Sequence, residues 1–178
     1  MNTNTKAFRE GFRDGIPIGL GYLAVSFSLG ISAKQAGLTP LQGFVTSFLE
    51  NASAGEYIAF TLIGAGATYI ELCLMTIIAN ARYLLMSCAM SQRFSPDTPM
   101  IHRFLVAFDL TDELFGIAIG RPGYLNPYYS YGAFLVALPG WSIGTAAGVS
   151  AGNMLRASAC MVVPDAINME SLGVMRLA

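Results

Sequence analysis

The sequence predicts an all-α integral membrane protein, a polytopic helical bundle of about five apolar segments with one of them broken or re-entrant. Three observations predict it. Residues of the set AVILMFWYC make up 54% of the 178 residues, charged residues only 12%, and mean hydropathy is +0.54. Soluble domains carry about twice that charged fraction. Predominantly apolar runs recur at the length a bilayer crossing needs, about 20 residues. One apolar run has two carboxylates and a glycine at its centre, a pattern that interrupts a helix.

The first segment, Ile16 to Ala33, is free of charge and opens with Pro17, whose missing N–H costs nothing in a first turn. Lys6, Arg9 and Arg13 precede it, so residues 1–15 read as a basic cytoplasmic segment. Further candidate spans are Tyr69–Met90, Arg103–Ile119 and Tyr128–Val149. Turn formers separate them, as in Ser95-Pro96-Asp97-Thr98-Pro99 and Arg121-Pro122-Gly123. Tyr124, Tyr128, Tyr129 and Tyr131 gather where an interfacial aromatic belt would lie. Residues 16–153 thus form the membrane unit, followed by a tail, 154–178, with no long apolar stretch.

Thr39 to Gly66 is the interrupted segment. Its middle reads Glu50-Asn51-Ala52-Ser53-Ala54-Gly55-Glu56. Irregular backbone at that depth survives where it is buried in protein or lines a wet cavity, and transporters place solute sites at such breaks. Loop charges favour a re-entrant path. With the N-terminus inside, a re-entrant segment puts Arg93, Arg103 and Arg156 on the cytoplasmic side and leaves Lys34 and Arg121 outside. Under that topology the first and last spans run in opposite directions, as an inverted repeat requires, and Ser28-Leu29-Gly30-Ile31-Ser32-Ala33 faintly repeats in Ser142-Ile143-Gly144-Thr145-Ala146-Ala147.

Glycines recur every fourth residue at Gly11, Gly15 and Gly19, at Gly116 and Gly120, and at Gly140, Gly144, Gly148 and Gly152. That spacing puts them on one helix face, where backbones can approach closely. Helix packing within one subunit is the plain reading, and a subunit interface or sliding surface is the alternative.

Ionisable groups inside a membrane are functional candidates. Asp109, Asp112 and Glu113 fall at i, i+3 and i+4 of the Arg103–Ile119 span, one face of one helix. Glu71, Asn80 and Arg82 lie on the preceding span, and Arg82 needs an acid partner from that trio. One arginine cannot neutralise three carboxylates, so at least one should be protonated, wet or on the transport path. Glu50 and Glu56 are either the ends of a surface turn or a solute or ion site at the break.

Other functions find little support. Cys73, Cys88 and Cys160 show neither CxxC nor metal spacing, and His102 is the one histidine, so no metal or redox cofactor is expected. A net charge of −1 without a basic block gives no sign of nucleic acid. Neither a Gly-x-Ser-x-Gly elbow nor a His-Glu-x-x-His helix is present, so no enzyme is expected.

Four motifs in order resemble the AzlC family of branched-chain amino acid exporters. These are Phe8-Arg9-Glu10-Gly11 with Pro17, Gly19 and Gly21; Asn80-Ala81-Arg82-Tyr83-Leu84-Leu85-Met86-Ser87; Thr111-Asp112-Glu113; and Trp141 with its glycine ladder. The resemblance implies a permease of the bacterial inner membrane that works with a small AzlD-type membrane protein on amino-acid substrates. It also makes Asn80, Arg82, Asp112 and Glu113 the motif positions. Two departures stand out. Family members continue with further apolar helices, so this chain reads as C-terminally shortened. Ser53-Ala54-Gly55-Glu56 also replaces the family's uncharged Gly-Ala-x-Gln pattern. A non-transporting assembly partner or an inactive relative is therefore the alternative to a transporter.

Overall fold

The computed structural model describes residues 2–162. They fold as eight α-helices in order: α1 (Thr3–Gln35), α2 (Pro40–Glu50), α3 (Ser53–Gly64), α4 (Tyr69–Ala79), α5 (Arg82–Ser91), α6 (Met100–Phe108), α7 (Asp112–Ile119) and α8 (Pro127–Val162). Two are long and apolar enough to cross a membrane, α1 and the Pro127–Gly152 part of α8. Helices α4 and α5, bent by 46° at Asn80–Ala81, make a third crossing if taken as one span. The expected tail beyond residue 162 lies outside the described residues.

Helices α1 and α8 form the spine. Helix α1 starts at Thr3 rather than near Ile16, with Asn2 as its N-cap, so the basic N-terminal residues are helical and Pro17 lies inside the helix. Its buried residues, among them Gly11, Gly15, Gly19, Tyr22, Ser26 and Gly30, form one stripe. A Cβ on Gly15 would sit 2.9 Å from the Ala133 Cα, one on Gly140 2.6 Å from the Gly19 carbonyl oxygen, and one on Gly148 2.9 Å from the Gly30 Cα. Gly11 meets Tyr129 and Gly152 meets Lys34 in the same register. The touching pairs advance in the same order along both helices, from Gly11 with Tyr129 to Gly30 with Gly148, so α1 and α8 run parallel. That corrects the opposite directions that the re-entrant topology and the inverted repeat imply. Gly116 has no neighbour within Cβ reach and Gly120 has only its own helix, so the third glycine pair does not pack against another helix.

Parallel ends follow from a second correction. The Arg103–Ile119 region is not one span: α6 ends at Phe108 and α7 begins at Asp112, with Asp109 to Thr111 between them. Thr111 N-caps α7, its hydroxyl accepting from the Leu114 N–H at 3.4 Å, and a new helix start replaces a continuous one. Both outer ends of this pair lie at the N-terminal end of the spine. His102 Nδ1 is 2.7 Å from the Tyr131 hydroxyl, and Arg121 pairs with Glu10 and Asp14. Arg93 donates to the Arg121 carbonyl, and the Leu125 N–H to the Arg93 carbonyl at 2.7 Å. Helices α6 and α7 therefore go in and come back.

Helices α2 and α3 do the same from the other end. Thr39 and Gln42 form a capping box with Pro40 in the first turn, and Asn51 ends α2 in the left-handed region at φ 42°. At the end of α3 a Cβ on Gly64 would sit 3.4 Å from the Ala36 Cα, so the segment returns to the C-terminal end of α1 where it began. The bundle thus holds two turned-back pairs, where one broken segment was expected.

Charge follows this arrangement. Lys6, Arg9, Arg13, Arg93, Arg103 and Arg121 share the N-terminal end of the spine, with Lys34 at the other. Arg121, expected opposite the N-terminus, instead lies at its end of the spine, paired with Glu10 and Asp14. Of the tyrosines expected in an aromatic belt, Tyr129 is instead buried, its hydroxyl donating to Asp14 at 2.9 Å beneath the Arg121 guanidinium. Leu74, Ile77, Ile78, Leu84 and Leu85 on α4 and α5 are exposed, an apolar face suited to lipid.

Candidate functional site

Every irregularity in the fold meets at one depth. The α2–α3 break at Asn51–Ala52, the α6–α7 break at Asp109–Thr111 and the α4–α5 bend converge on the middle of α1 at Tyr22 and of α8 at Trp141. Asn51 Nδ2 donates to Asp109 Oδ1 across the two tips. The Tyr22 hydroxyl donates to Glu113 Oε2 at 2.5 Å and shares a hydrogen bond of 2.5 Å with Thr111 Oγ1. The Tyr22 ring lies edge-on to Trp141, with centroids 5.1 Å apart.

Glu56 is wholly buried and ties three helices together. Its carboxylate accepts from Ser47 on α2 and from Trp141 Nε1 on α8, the latter at 2.6 Å. Asn80, at the end of α4, reaches Glu50 at 3.5 Å. Both side chains press on Gly55, where a Cβ would fall 2.8 Å from Asn80 Oδ1, so a larger residue there would displace the ends of these two side chains. Arg82 NH1 pairs with Asp112 Oδ2 at 2.9 Å, and both remain about half exposed at 45% and 46%.

A cavity of about 70 Å³ opens at this junction, lined by Tyr22, Val25, Asn51, Ser53, Tyr83, Asp112, Glu113 and Trp141 among others. Tyr22, Val25, Tyr83 and Trp141 give it an aromatic and aliphatic lining. Asp112 and Glu113 supply acceptors, and the N-terminus of α3 supplies donors, because Ala52 provides no side-chain cap. Among the described residues no group of three or more His, Cys, Asp and Glu side chains is placed to hold a metal ion.

The family model for AzlC protein matches residues 17–155. The chain belongs to the AzlC family. It is 28% identical over 152 residues to the inner membrane protein YgaZ of Escherichia coli K12, covering 83% of this chain and 62% of that protein. An uncharacterized membrane protein of Archaeoglobus fulgidus is 29% identical over 148 residues, covering 83% of this chain and 64% of that one. The branched-chain amino acid transport protein AzlC of Bacillus subtilis is 27% identical over 111 residues, covering 62% of this chain and 43% of that protein. The chain thus spans less than two thirds of the length of these curated relatives. No solved structure matches.

On this AzlC-family scaffold the residues singled out from sequence take different places. Arg82, Asp112 and Glu113 stand at the cavity or beside it, with Glu50 and Asn80 paired behind Gly55. Asp109 does not share a helix face with Asp112 and Glu113: it lies in the break before α7 and points to Asn51, while the other two occupy the first turn of α7. Glu71 faces away, accepting from Thr68 in a capping box at the start of α4. Gly140, Gly144, Gly148 and Gly152 line the seam with α1. Sequence reasoning missed Tyr22 and Ser47, isolated hydroxyls in apolar runs with no distinguishing spacing. The second break did have a signal, a threonine followed by two acids and an apolar run, which is an N-terminal pattern for a helix.

Proposed function

We propose that the chain is a subunit of a secondary transporter exporting branched-chain amino acids across the bacterial cytoplasmic membrane, together with a small AzlD-type membrane protein. The cavity between the two tips carries the reading. It is small, and its lining includes Asp112 and Glu113 on α7 and Ser53 at the uncapped start of α3. A zwitterion presents the complementary charges: an ammonium for Asp112 and Glu113, and a carboxylate for the α3 amides. Val25, Tyr22 and Trp141 offer an apolar wall for a branched side chain. Family membership and the printed name of the Bacillus relative support the substrate class. The basic residues gathered at the N-terminal end of the spine support a cytoplasmic N-terminus.

Co-expression with the small partner is expected to lower intracellular valine and to confer resistance to a toxic leucine analogue. Arg82→Ala leaves Asp112 unpaired beside the cavity, and Asp112→Asn removes one acceptor. Each should reduce valine efflux at least tenfold, a loss of about 1.4 kcal/mol in transition-state stabilisation, at unchanged membrane levels. Unaltered efflux and resistance in both variants would sink the site.

A further inference from the structure

The contact between the two tips leaves two acceptors with nothing to accept. Asn51 Nδ2 donates to Asp109 Oδ1, yet Asn51 Oδ1 and Asp109 Oδ2 have no hydrogen-bond partner. Asn51 is 6% exposed and Asp109 2%, so bulk water does not take the missing role. Oxygens buried in this way need a positive or donating group against them.

Helix ends sharpen the requirement. Asn51 is the C-cap of α2 and Asp109 the C-cap of α6, and neither helix has a basic residue in its last turn. The final carbonyls of α2 and α6 adjoin this pair, while the N-terminal ends of α3 and α7 begin two and three residues further on. The charged and titratable groups around it are already engaged. Glu56 accepts from Ser47 and Trp141, and Glu50 from Asn80. Tyr22 serves Glu113, and Arg82 serves Asp112. Of these carboxylates, Asp109 alone has a buried oxygen left bare.

We infer that the Asn51–Asp109 pair binds a monovalent cation, a proton or a sodium ion, and so couples an ion gradient to movement of the tips. The word couples rests on the transport reading, whereas the binding does not. Without a bound ion the tips are joined by the single hydrogen bond from Asn51 Nδ2, and Asn51 Oδ1 and Asp109 Oδ2 stay bare. An occupied pair draws them together. Asn51 also lines the cavity, and Thr111, two residues beyond Asp109, does so as well, so closure of the tips reshapes the solute's enclosure.

The test is thermal stability of the purified full chain in detergent, wild type against Asp109→Asn. One arm varies pH from about 5 to 9 in choline chloride; the other exchanges choline for sodium at fixed pH and ionic strength. If the occupant is a proton, wild-type melting temperature falls as pH rises, because the folded chain holds a proton that the unfolded chain gives up. If it is sodium, melting temperature rises with sodium. Asp109→Asn should flatten whichever response the wild type shows. Should Asp109→Asn not fold, Asn51→Ser removes the second bare acceptor and should raise the concentration needed for half the shift about tenfold. Equal responses in wild type and the variant that folds would overturn the inference, as would a wild type indifferent to both ions. An Asp109-dependent ion response in a chain that moves no valine would uphold the ion site and overturn the transport reading instead.

Discussion

Gly148→Leu is expected to leave almost no folded protein in the membrane. A Cβ at residue 148 would lie 2.9 Å from the Gly30 Cα and closer still to the Phe27 carbonyl oxygen. These are backbone atoms of α1 and cannot rotate away as a side chain can. Relief requires α1 and α8 to separate along the seam that Gly15, Gly19 and Gly140 hold close. Overpacking of a core usually costs about 1–3 kcal/mol, and a collision between two backbones should exceed that range. The comparison that makes the result specific is Gly21→Leu, since nothing lies within 4 Å of a Cβ at that position on the same α1. The monodisperse yield of tagged protein after detergent extraction should collapse for the first variant and hold for the second. Equal yields would mean that the α1–α8 seam is not close-packed.

Glu56→Ala is the second large effect. The carboxylate is fully buried and accepts from Ser47 and Trp141, so its removal strands two donors and opens a cavity. Each unpaired buried donor costs about 1–3 kcal/mol, which puts the total at roughly 3 kcal/mol or more. At roughly 2–4 °C per kcal/mol for a chain of this size, melting temperature should drop by about 10 °C. Glu56→Gln keeps the volume and one acceptor oxygen, so it should lose clearly less. An alanine variant as stable as the wild type would show that residue 56 is wet and that the tie between α2, α3 and α8 is absent.

Much of this fold was legible in the residues. The apolar runs named a membrane protein, and the cluster from Glu50 to Glu56 located a break that the structure puts at Asn51–Ala52. The need of Arg82 for an acid was also readable, since an arginine at that depth has few alternatives, and Asp112 is its partner. The second break was not read. Residues 103–119 are apolar enough to pass for a span, and the helical spacing of Asp109, Asp112 and Glu113 made one face look natural. The capping signal at Thr111 competes with that spacing and wins, because the freed amides of α7 need an acceptor. Missing this break cost the direction of α8 as well. Hydropathy carries no direction, so each crossing is oriented by counting those before it, and one miscounted segment reverses all that follow. The six-residue match between residues 28–33 and 142–147 could not correct the error, since small residues recur in any closely packed seam.

The central claim is that two half-spanning pairs enter from opposite faces and meet at Asn51 and Asp109. Single-cysteine labelling in intact cells with a membrane-impermeant maleimide tests it most directly, with Cys73, Cys88 and Cys160 replaced. The account predicts that Gln35→Cys and Ala65→Cys label from one face, and that Asp97→Cys and Tyr124→Cys both label from the other. Labelling of residues 97 and 124 from opposite faces would mean that α6 and α7 cross the membrane once, and would contradict the account.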